Sequence, residues 1–484
     1  MSDISFSAIL PELILCIFGI LVMVLGPFLG RNSRSFGGTL ALLGFATSIV
    51  GALLVPESAG KLFFNGMVTT DAFSIFFRVL FAAIGVVMTL GSLNYLHRLK
   101  LPTFEYFALL LFASAGMNFM VLSTDLLLTF IGLEILSIAT YVLAGIRRDD
   151  AASNESAIKY FFMGSFSSAI LLYGVALIYG SAHSTSYQAI LKHAAAVNGQ
   201  QQIPLLFLIG FGLIIVGFCF KVAVVPFQVW APDVYEGAPT PITGFLSVAS
   251  KMAGFAALIR ILFQVLPHDL PQWVQLLVVS SILTMWIGNL SALTQTNIKR
   301  MLAYSSIAHA GYILIGIVAA NQTGITAILY YAVAYALMNL GAFTIITILS
   351  GRDDRRVTLE DYKGIGFQYP QLSFPLTICL ISLAGIPTTA GFIGKFFLFS
   401  AAVEEKMYLL AVLAVLAALV SVYYYLRVVV YMFMFEPDGK REVRIHPAAG
   451  VVVLVCCLLI FWFGLFPTWL LEVSRQAVIL FLHP

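Results

Sequence analysis

Long apolar runs separated by short polar breaks fill the chain from end to end. Read against the roughly 20 apolar residues that a bilayer-crossing helix needs, they predict spans at 8–29, 37–55, 72–95, 104–122, 125–146, 156–180, 203–235, 240–265, 272–294, 299–319, 323–349, 372–402, 406–435 and 447–471. The seventh and twelfth runs are too long for one upright helix and contain prolines, which predicts two broken helices. The first run is introduced by Asp3, Pro11 and Glu12, with no basic segment before it and no small-residue cleavage site after it. It is expected to be a retained helix, not a signal peptide.

Composition agrees with this pattern. Of 484 residues 60% are hydrophobic and 10% charged, with a mean hydropathy of +0.98, whereas a soluble domain is about 25% charged. Such a chain cannot cover itself with a solvated surface, and the expected class is an all-α polytopic membrane protein whose first partner is the lipid bilayer. The 26 Lys and Arg against 23 Asp and Glu leave no basic face for nucleic acid. Cys16, Cys219, Cys379, Cys456 and Cys457 lie inside apolar stretches without a CxxC pair. Neither iron–sulfur ligation nor a disulfide framework is supported.

Loop charge predicts orientation. Arg31, Arg34, Arg98, Lys100, Arg147, Arg148, Lys299, Arg300, Arg352, Arg355, Arg356, Lys363, Lys440, Arg441 and Arg444 follow odd-numbered spans, while only Lys61, Lys192, Lys406 and Arg475 lie on the other side. By the positive-inside rule both termini face away from the cytoplasm. Seven cations remain inside spans: Arg78, Lys159, Lys221, Lys251, Arg260, Lys395 and Arg427. Each costs about 2.5–3.5 kcal/mol at the bilayer centre. Lys159 and Arg260 are near span ends where side chains can snorkel, and Arg78 is within two turns of a span start.

The central residues are harder to discount. Glu134, Lys251 and His309 each fall near the middle of a span, at one expected depth, and Lys221 precedes Pro226 by five residues in the seventh run. Proline removes an N–H and frees a carbonyl one turn back. In the twelfth run Gly385, Pro387, Gly391 and Gly394 lead to Lys395, which follows Pro387 by eight residues, about 12 Å of regular helix. Glu134 to His309, Lys221 to Lys395 and Lys251 to Arg427 are separated by nearly one offset, which predicts a five-helix duplication inverted by its odd number of crossings. Pro226 and Pro387 do not share the offset. The expected units are 1–103, a three-helix segment; 104–269 and 270–436, the two inverted five-helix repeats; and 437–484, a C-terminal helix and tail.

One carboxylate, several amines and an imidazole at depth suit protons better than a cation cage, which needs several oxygen ligands. An amine taken out of water gives up its proton more readily, and an adjacent carboxylate restores its hold. Motion of Glu134 relative to Lys221 would therefore switch a proton on and off. With His309 as the one histidine at depth, no bis-histidine haem pair is available. His309 alone fits packing as well as a relay, and the 40 Phe and 20 Tyr are read as lipid-facing and packing residues.

The stretches FKVAVVPFQVWAPDVYEGAPTPITGFLSVASKMAGF (220–255), LSALTQTNIKRMLAYSSIAHAGY (290–312) and LAGIPTTAGFIGKF (383–396), with GLEILSIATYVLAG around Glu134 and LPELIL near the start, closely resemble the subunit N family of proton-pumping NADH:quinone oxidoreductase, respiratory complex I. The resemblance implies about 14 transmembrane helices, two inverted half-channels and an antiporter-like unit of the membrane arm in a bacterial inner membrane. It implies proton translocation by Glu134 and Lys221 as a switch, Lys251 and His309 with water as a central relay, and Lys395 as terminal donor or acceptor. The lysine at 395 suits the N-type subunit; the M-type resembles it but carries glutamate there. The resemblance also implies no cofactor on this chain: NADH, FMN, iron–sulfur clusters and quinone would belong to partner subunits. Two other readings are a subunit of a multi-subunit cation/proton antiporter and a scaffold whose charges only pack helices.

Overall fold

The computed structural model describes residues 5–29, 34–55, 61–198, 204–265, 271–351, 353–437, 439 and 443–482. Of the cations used for orientation, Arg31, Arg352, Lys440 and Arg441 lie outside the described residues, as does Asp3. Helices follow one another in the order α1 (Leu10–Leu29), α2 (Arg34–Leu54), α3 (Ala72–Arg98), α4 (Thr103–Leu122), α5 (Leu126–Ala144), α6 (Ala151–Ala182), α7 (Tyr187–Asn198), α8 (Leu205–Lys221), α9 (Trp230–Gly237), α10 (Thr240–Phe245), α11 (Lys251–Val265), α12 (Pro271–Leu293), α13 (Ile298–Ala319), α14 (Gln322–Leu349), α15 (Ile365–Gln368), α16 (Pro370–Ala384), α17 (Ala390–Glu404), α18 (Tyr408–Met434), α19 (Pro447–Leu465) and α20 (Thr468–Leu482). Among the described residues, twelve helical stretches are long and apolar enough to cross a membrane, and α8 and α16 are shorter apolar helices. A two-residue hairpin, Leu62–Phe63 against Val68–Thr69, lies between α2 and α3.

The seventh and twelfth runs are divided. α8 stops at Lys221, Ala223 turns left-handed (φ 58°), and the chain passes Pro226 before α9 begins. α16 stops at Ala384, and Gly385 (φ 85°) closes it with the paired bonds of a glycine C-cap, its N–H to Ser382 O at 3.0 Å and the Ile386 N–H to Ile381 O at 3.2 Å. Pro387 and the left-handed Thr388 separate it from α17. Gly391 permits the return: a Cβ there would sit 1.9 Å from the Ser382 carbonyl oxygen.

The eighth run is one helical stretch, Thr240–Val265, as expected, but its winding changes along the way. Between α10 and α11, Leu246–Ser250 forms a wide i→i+5 turn, and Lys251 is the next residue. Such turns interrupt helices mostly at functional sites. The C-terminal segment departs from one helix and a tail, because α19 ends at Leu465 and α20 follows after Pro467 to pack on α14 and α3. α10, α11, α13 and α14 are buried nearly throughout, and α1, α6, α12 and α18 form the outer wall with large exposed apolar side chains.

Two of the cations discounted for their place near span ends, Arg78 and Arg260, are instead enclosed. The Arg78 and Glu12 side chains are both 0% exposed and pair at 3.0 Å. Arg260, also 0% exposed, meets both oxygens of Asp71 at 2.8 Å each while Asp71 caps α3 through the Ser74 N–H. Burial of an arginine demands a carboxylate partner, and both partners are remote in sequence. Lys159 does sit half exposed, between Glu155 and Asp233. Arg427, which the sequence offset pairs with Lys251, donates to the carbonyls of Leu293 and Gln295 at the end of α12. Lys251 is enclosed between helices, so the two positions share a register and not an environment.

Candidate functional site

The five residues singled out fall on two groups of helices. In the first, Glu134 is half-buried on α5 and accepts a hydrogen bond from Ser168 Oγ of α6. Lys221, the last residue of α8 and 4% exposed, donates to Ser137 Oγ at 2.9 Å. Ser137 is one helical turn beyond Glu134 on α5, so α5 presents the carboxylate and the hydroxyl side by side. Glu134 and Lys221, expected to form a switch, thus each bond a serine, Ser168 and Ser137. Both serines and Lys221 line a small cavity, with Tyr141 and Tyr160, that has about 10 Å³ of room for a water centre, close to what one water requires. The Tyr160 ring lies 6.0 Å from the Lys221 amine, and Trp230 at the start of α9 stacks on Tyr160 and donates to the Phe220 carbonyl at 2.9 Å. That bond ties α9 to the end of α8.

Lys251 is 1% exposed and donates to the Ser306 carbonyl of α13 at 2.8 Å. The hydroxyls of Ser250 and Ser306, next to this contact, are buried without a protein partner, as are those of Tyr235 and Tyr335. Buried polar groups are ordinarily bonded, so these hydroxyls mark where this part of the protein can hold water.

His309 follows Ser306 on α13, within electrostatic reach of both Lys251 and Lys395. Its Nδ1 faces Tyr331 Oη at 2.5 Å and its Nε2 faces Tyr425 Oη at 3.0 Å. Tyr425 also bonds Ser305. In a neutral imidazole one nitrogen donates and the other accepts, so the ring joins two hydroxyls into a chain that can pass a proton. Reading the tyrosines as packing residues missed Tyr331 and Tyr425. The available signal was Tyr331, Tyr335 and Asn339, spaced by four along α14 and therefore on one face.

Lys395 is 4% exposed and lies six residues into α17, yet its amine reaches back to the carbonyls of Leu383 (2.8 Å) and Ala384 (3.0 Å). Its distance beyond Pro387 suggests a place off the midplane for the residue; its amine reaches the break because helical side chains lean toward the N-terminus. The C-terminal carbonyls of α16 are unpaired within that helix and carry its negative dipole end, so the break itself supplies the counter-charge. The Tyr312 ring lies 4.9 Å from the amine. Asn289 of α12 bonds both Tyr312 and Tyr424 at 3.0 Å and fixes this wall. No group of three or more His, Cys, Asp or Glu side chains that could hold a metal occurs among the described residues.

The family described as NADH:quinone oxidoreductase/Mrp antiporter, TM, matches residues 123–421, a segment that holds all five residues. A protein named NADH-quinone oxidoreductase subunit N 1, from Solibacter usitatus (strain Ellin6076), is 42% identical over 470 residues, 97% of this chain and 96% of that protein. A chain from a structure of respiratory complex I from Thermus thermophilus with bound aureothin matches with a TM-score of 0.81 at 32% identity, covering 96% of this chain and 99% of that one. A chain of the Mrp complex from Dietzia sp. DQ12-45-1b matches in fold, with a TM-score of 0.87 at 21% identity over 99% of this chain and 98% of that one. The chain belongs to the NADH:quinone oxidoreductase/Mrp antiporter transmembrane family, and within it to the subunit N proteins of NADH-quinone oxidoreductase.

Proposed function

We propose that this chain moves protons across a bacterial inner membrane as the antiporter-like subunit of a membrane arm, driven by quinone reduction on partner subunits. The observation that carries the reading is the pairing of Glu134 with Ser168 and of Lys221 with Ser137, where both serines and Lys221 line one water-sized cavity. A carboxylate and an amine kept apart by exchangeable hydroxyls and water can change their mutual attraction by small shifts of α5 and α6. An amine in low dielectric holds or releases its proton according to that attraction. Lys251 and His309, with the tyrosine hydroxyls and water, pass the proton between the halves, and Lys395 is the terminal donor or acceptor.

In this reading 104–269 and 270–436 are the two half-channels, 1–103 and 437–484 flank them, and both termini face away from the cytoplasm. NADH, FMN, iron–sulfur clusters and quinone belong to partner subunits, and this chain performs proton transfer without redox chemistry of its own. The test is proton uptake into vesicles that hold the complete complex at matched abundance. Lys221→Ala is expected to abolish this chain's share of uptake while the complex assembles. Wild-type uptake in that variant would overturn the reading and leave a scaffold. A second reading, a cation/proton antiporter subunit, is supported by the likeness in fold to the Mrp chain. Sodium-dependent transport without an electron donor would favour it.

A further inference from the structure

α9 carries no member of the proton route, but it carries two acids on one face, Asp233 and Glu236, three residues apart. Asp233 accepts from Lys159 Nζ of α6 at 3.0 Å through one oxygen and from Arg300 Nη1 of α13 at 2.9 Å through the other. Glu236 accepts from the same Arg300 nitrogen at 2.7 Å and from Asn297 Nδ2 at 3.2 Å.

The register of these contacts gives them meaning. Lys159 precedes Ser168, the donor to Glu134, by nine residues on α6, and Arg300 precedes His309 by nine residues on α13. Nine residues of helix span about 13.5 Å in each case. Asp233 itself stands on the segment that follows the Lys221 break, so one carboxylate links α6, which presents Ser168, and α13, which presents His309, to the chain just beyond Lys221.

The link from α9 to α10 is anchored to the same surroundings. Lys299 Nζ donates to the Ala238 carbonyl at 2.6 Å, and the Thr240 N–H and hydroxyl donate to Asp354 at 3.1 and 2.6 Å. Burial would raise the Asp354 carboxyl, but the Lys299 ammonium and the Thr240 and Tyr95 hydroxyls hold it below the usual carboxylate range. This end of the assembly is therefore fixed, while Asp233, shared by two cations, can favour one as it loosens from the other.

We propose that Asp233 is a positioning residue that couples the Glu134–Lys221 switch to His309, passing a displacement of α6 to α13 through α9. The inference rests on the proton-transfer reading above. The Asp233 pairs are partly exposed, and pairs of that kind add little to stability. The packing of α6 and α13 against α9 holds the fold, which leaves the shared carboxylate free to steer.

The experiment uses the complete complex in vesicles. Asp233→Asn is expected to assemble at wild-type abundance, to keep quinone reduction and to lower this chain's share of the protons moved per quinone, the part that Lys221→Ala removes, by about twofold or more, and Asp233→Glu is expected to restore most of it. A structural role alone predicts lower abundance with an unchanged ratio in the surviving complex, and that result overturns the proposal. Lys221→Ala is measured alongside: if it abolishes this chain's uptake while Asp233→Asn leaves the ratio intact, coupling fails and the proton-transfer reading stands. If Asp233→Asn does not assemble, Lys159→Gln and Arg300→Gln each remove one arm. A wild-type ratio in either overturns the proposal.

Discussion

The two broken helices solve the same problem with different partners. Lys221 ends the first half of its helix and donates a hydrogen bond to a side chain on another helix, Ser137 of α5. Lys395 lies in the second half of its helix and donates hydrogen bonds to the backbone of the first half, Leu383 and Ala384. A hydroxyl can rotate, donate as well as accept, and travel with the helix that bears Glu134. A carbonyl at a helix end is fixed and can only accept. The Lys221 half is therefore built to respond to a neighbouring carboxylate, whereas the Lys395 half is built to hold an amine at a constant place. In the proposed mechanism the difference would give sensing to α5 and α8, and delivery to α16 and α17.

The largest effect is expected where the comparison has no counterpart in the second half, at Glu134. In the proposed repeat its counterpart is His309, bonded to two tyrosines, so in that reading a carboxylate acts on only one of the two amines. Glu134→Ala should remove this chain's share of proton uptake and slow coupled turnover while the complex assembles. Glu134→Asp keeps the charge and should retain much more. Proton-to-electron ratios equal to wild type in both variants would take Glu134 out of the mechanism and erase the distinction between the halves.

What could be read from the sequence follows the cost of each residue in an apolar run. Lys221, Lys251, Lys395 and Glu134 announce themselves because charge at membrane depth is expensive, and Pro226, Gly385 and Pro387 because they end helices. Ser137 and Ser168 do not, since most hydroxyls in membrane helices bond their own backbone. Thr140 to Leu136 O at 2.9 Å and Thr344 to Leu340 O at 2.7 Å are of that kind, and nothing local separates them from Ser137. Arg78 and Arg260 were misjudged for another reason. Their carboxylates, Glu12 and Asp71, stand 66 and 189 residues away, so position within a span suggested exposure where tertiary pairing gives burial. The wide turn before Lys251 has no proline or glycine pair to mark it, since Leu246–Ser250 reads LSVAS.

An intermediate effect is expected at Lys395. Arginine keeps its proton at any working pH, so Lys395→Arg preserves the charge at the end of α16 and removes the ability to cycle. A fixed-charge role predicts that arginine is tolerated and alanine is harmful. A delivery role predicts that the two are almost equally harmful to uptake at matched abundance. Space matters here as well, because a Cβ on Gly385 would already come within 3.0 Å of the Lys395 side chain. Abundance is therefore measured in the same vesicles. Normal pumping by Lys395→Arg would remove proton cycling from this residue.

The smallest effect, and the closest test of the contrast, comes from deleting one hydroxyl in each half. Ser137→Ala removes the side chain that Lys221 donates to, whereas Ser382→Ala removes the acceptor of the Gly391 N–H, a 3.1 Å bond that closes the second break without touching the Lys395 amine. Each hydrogen bond contributes about 0.5–1.5 kcal/mol net. At Ser137 the adjacent cavity lets water take the place of the hydroxyl, so uptake per quinone reduced should fall only a few-fold, and Ser137→Thr should recover it by restoring an oxygen at the same position. At Ser382 a loss of the same size falls on the packing of α17 against α16, so less complex should accumulate while each assembled complex pumps normally. If the two alanine variants lose protons per quinone alike, Lys221 is held as rigidly as Lys395, and α5 is not the sensing element.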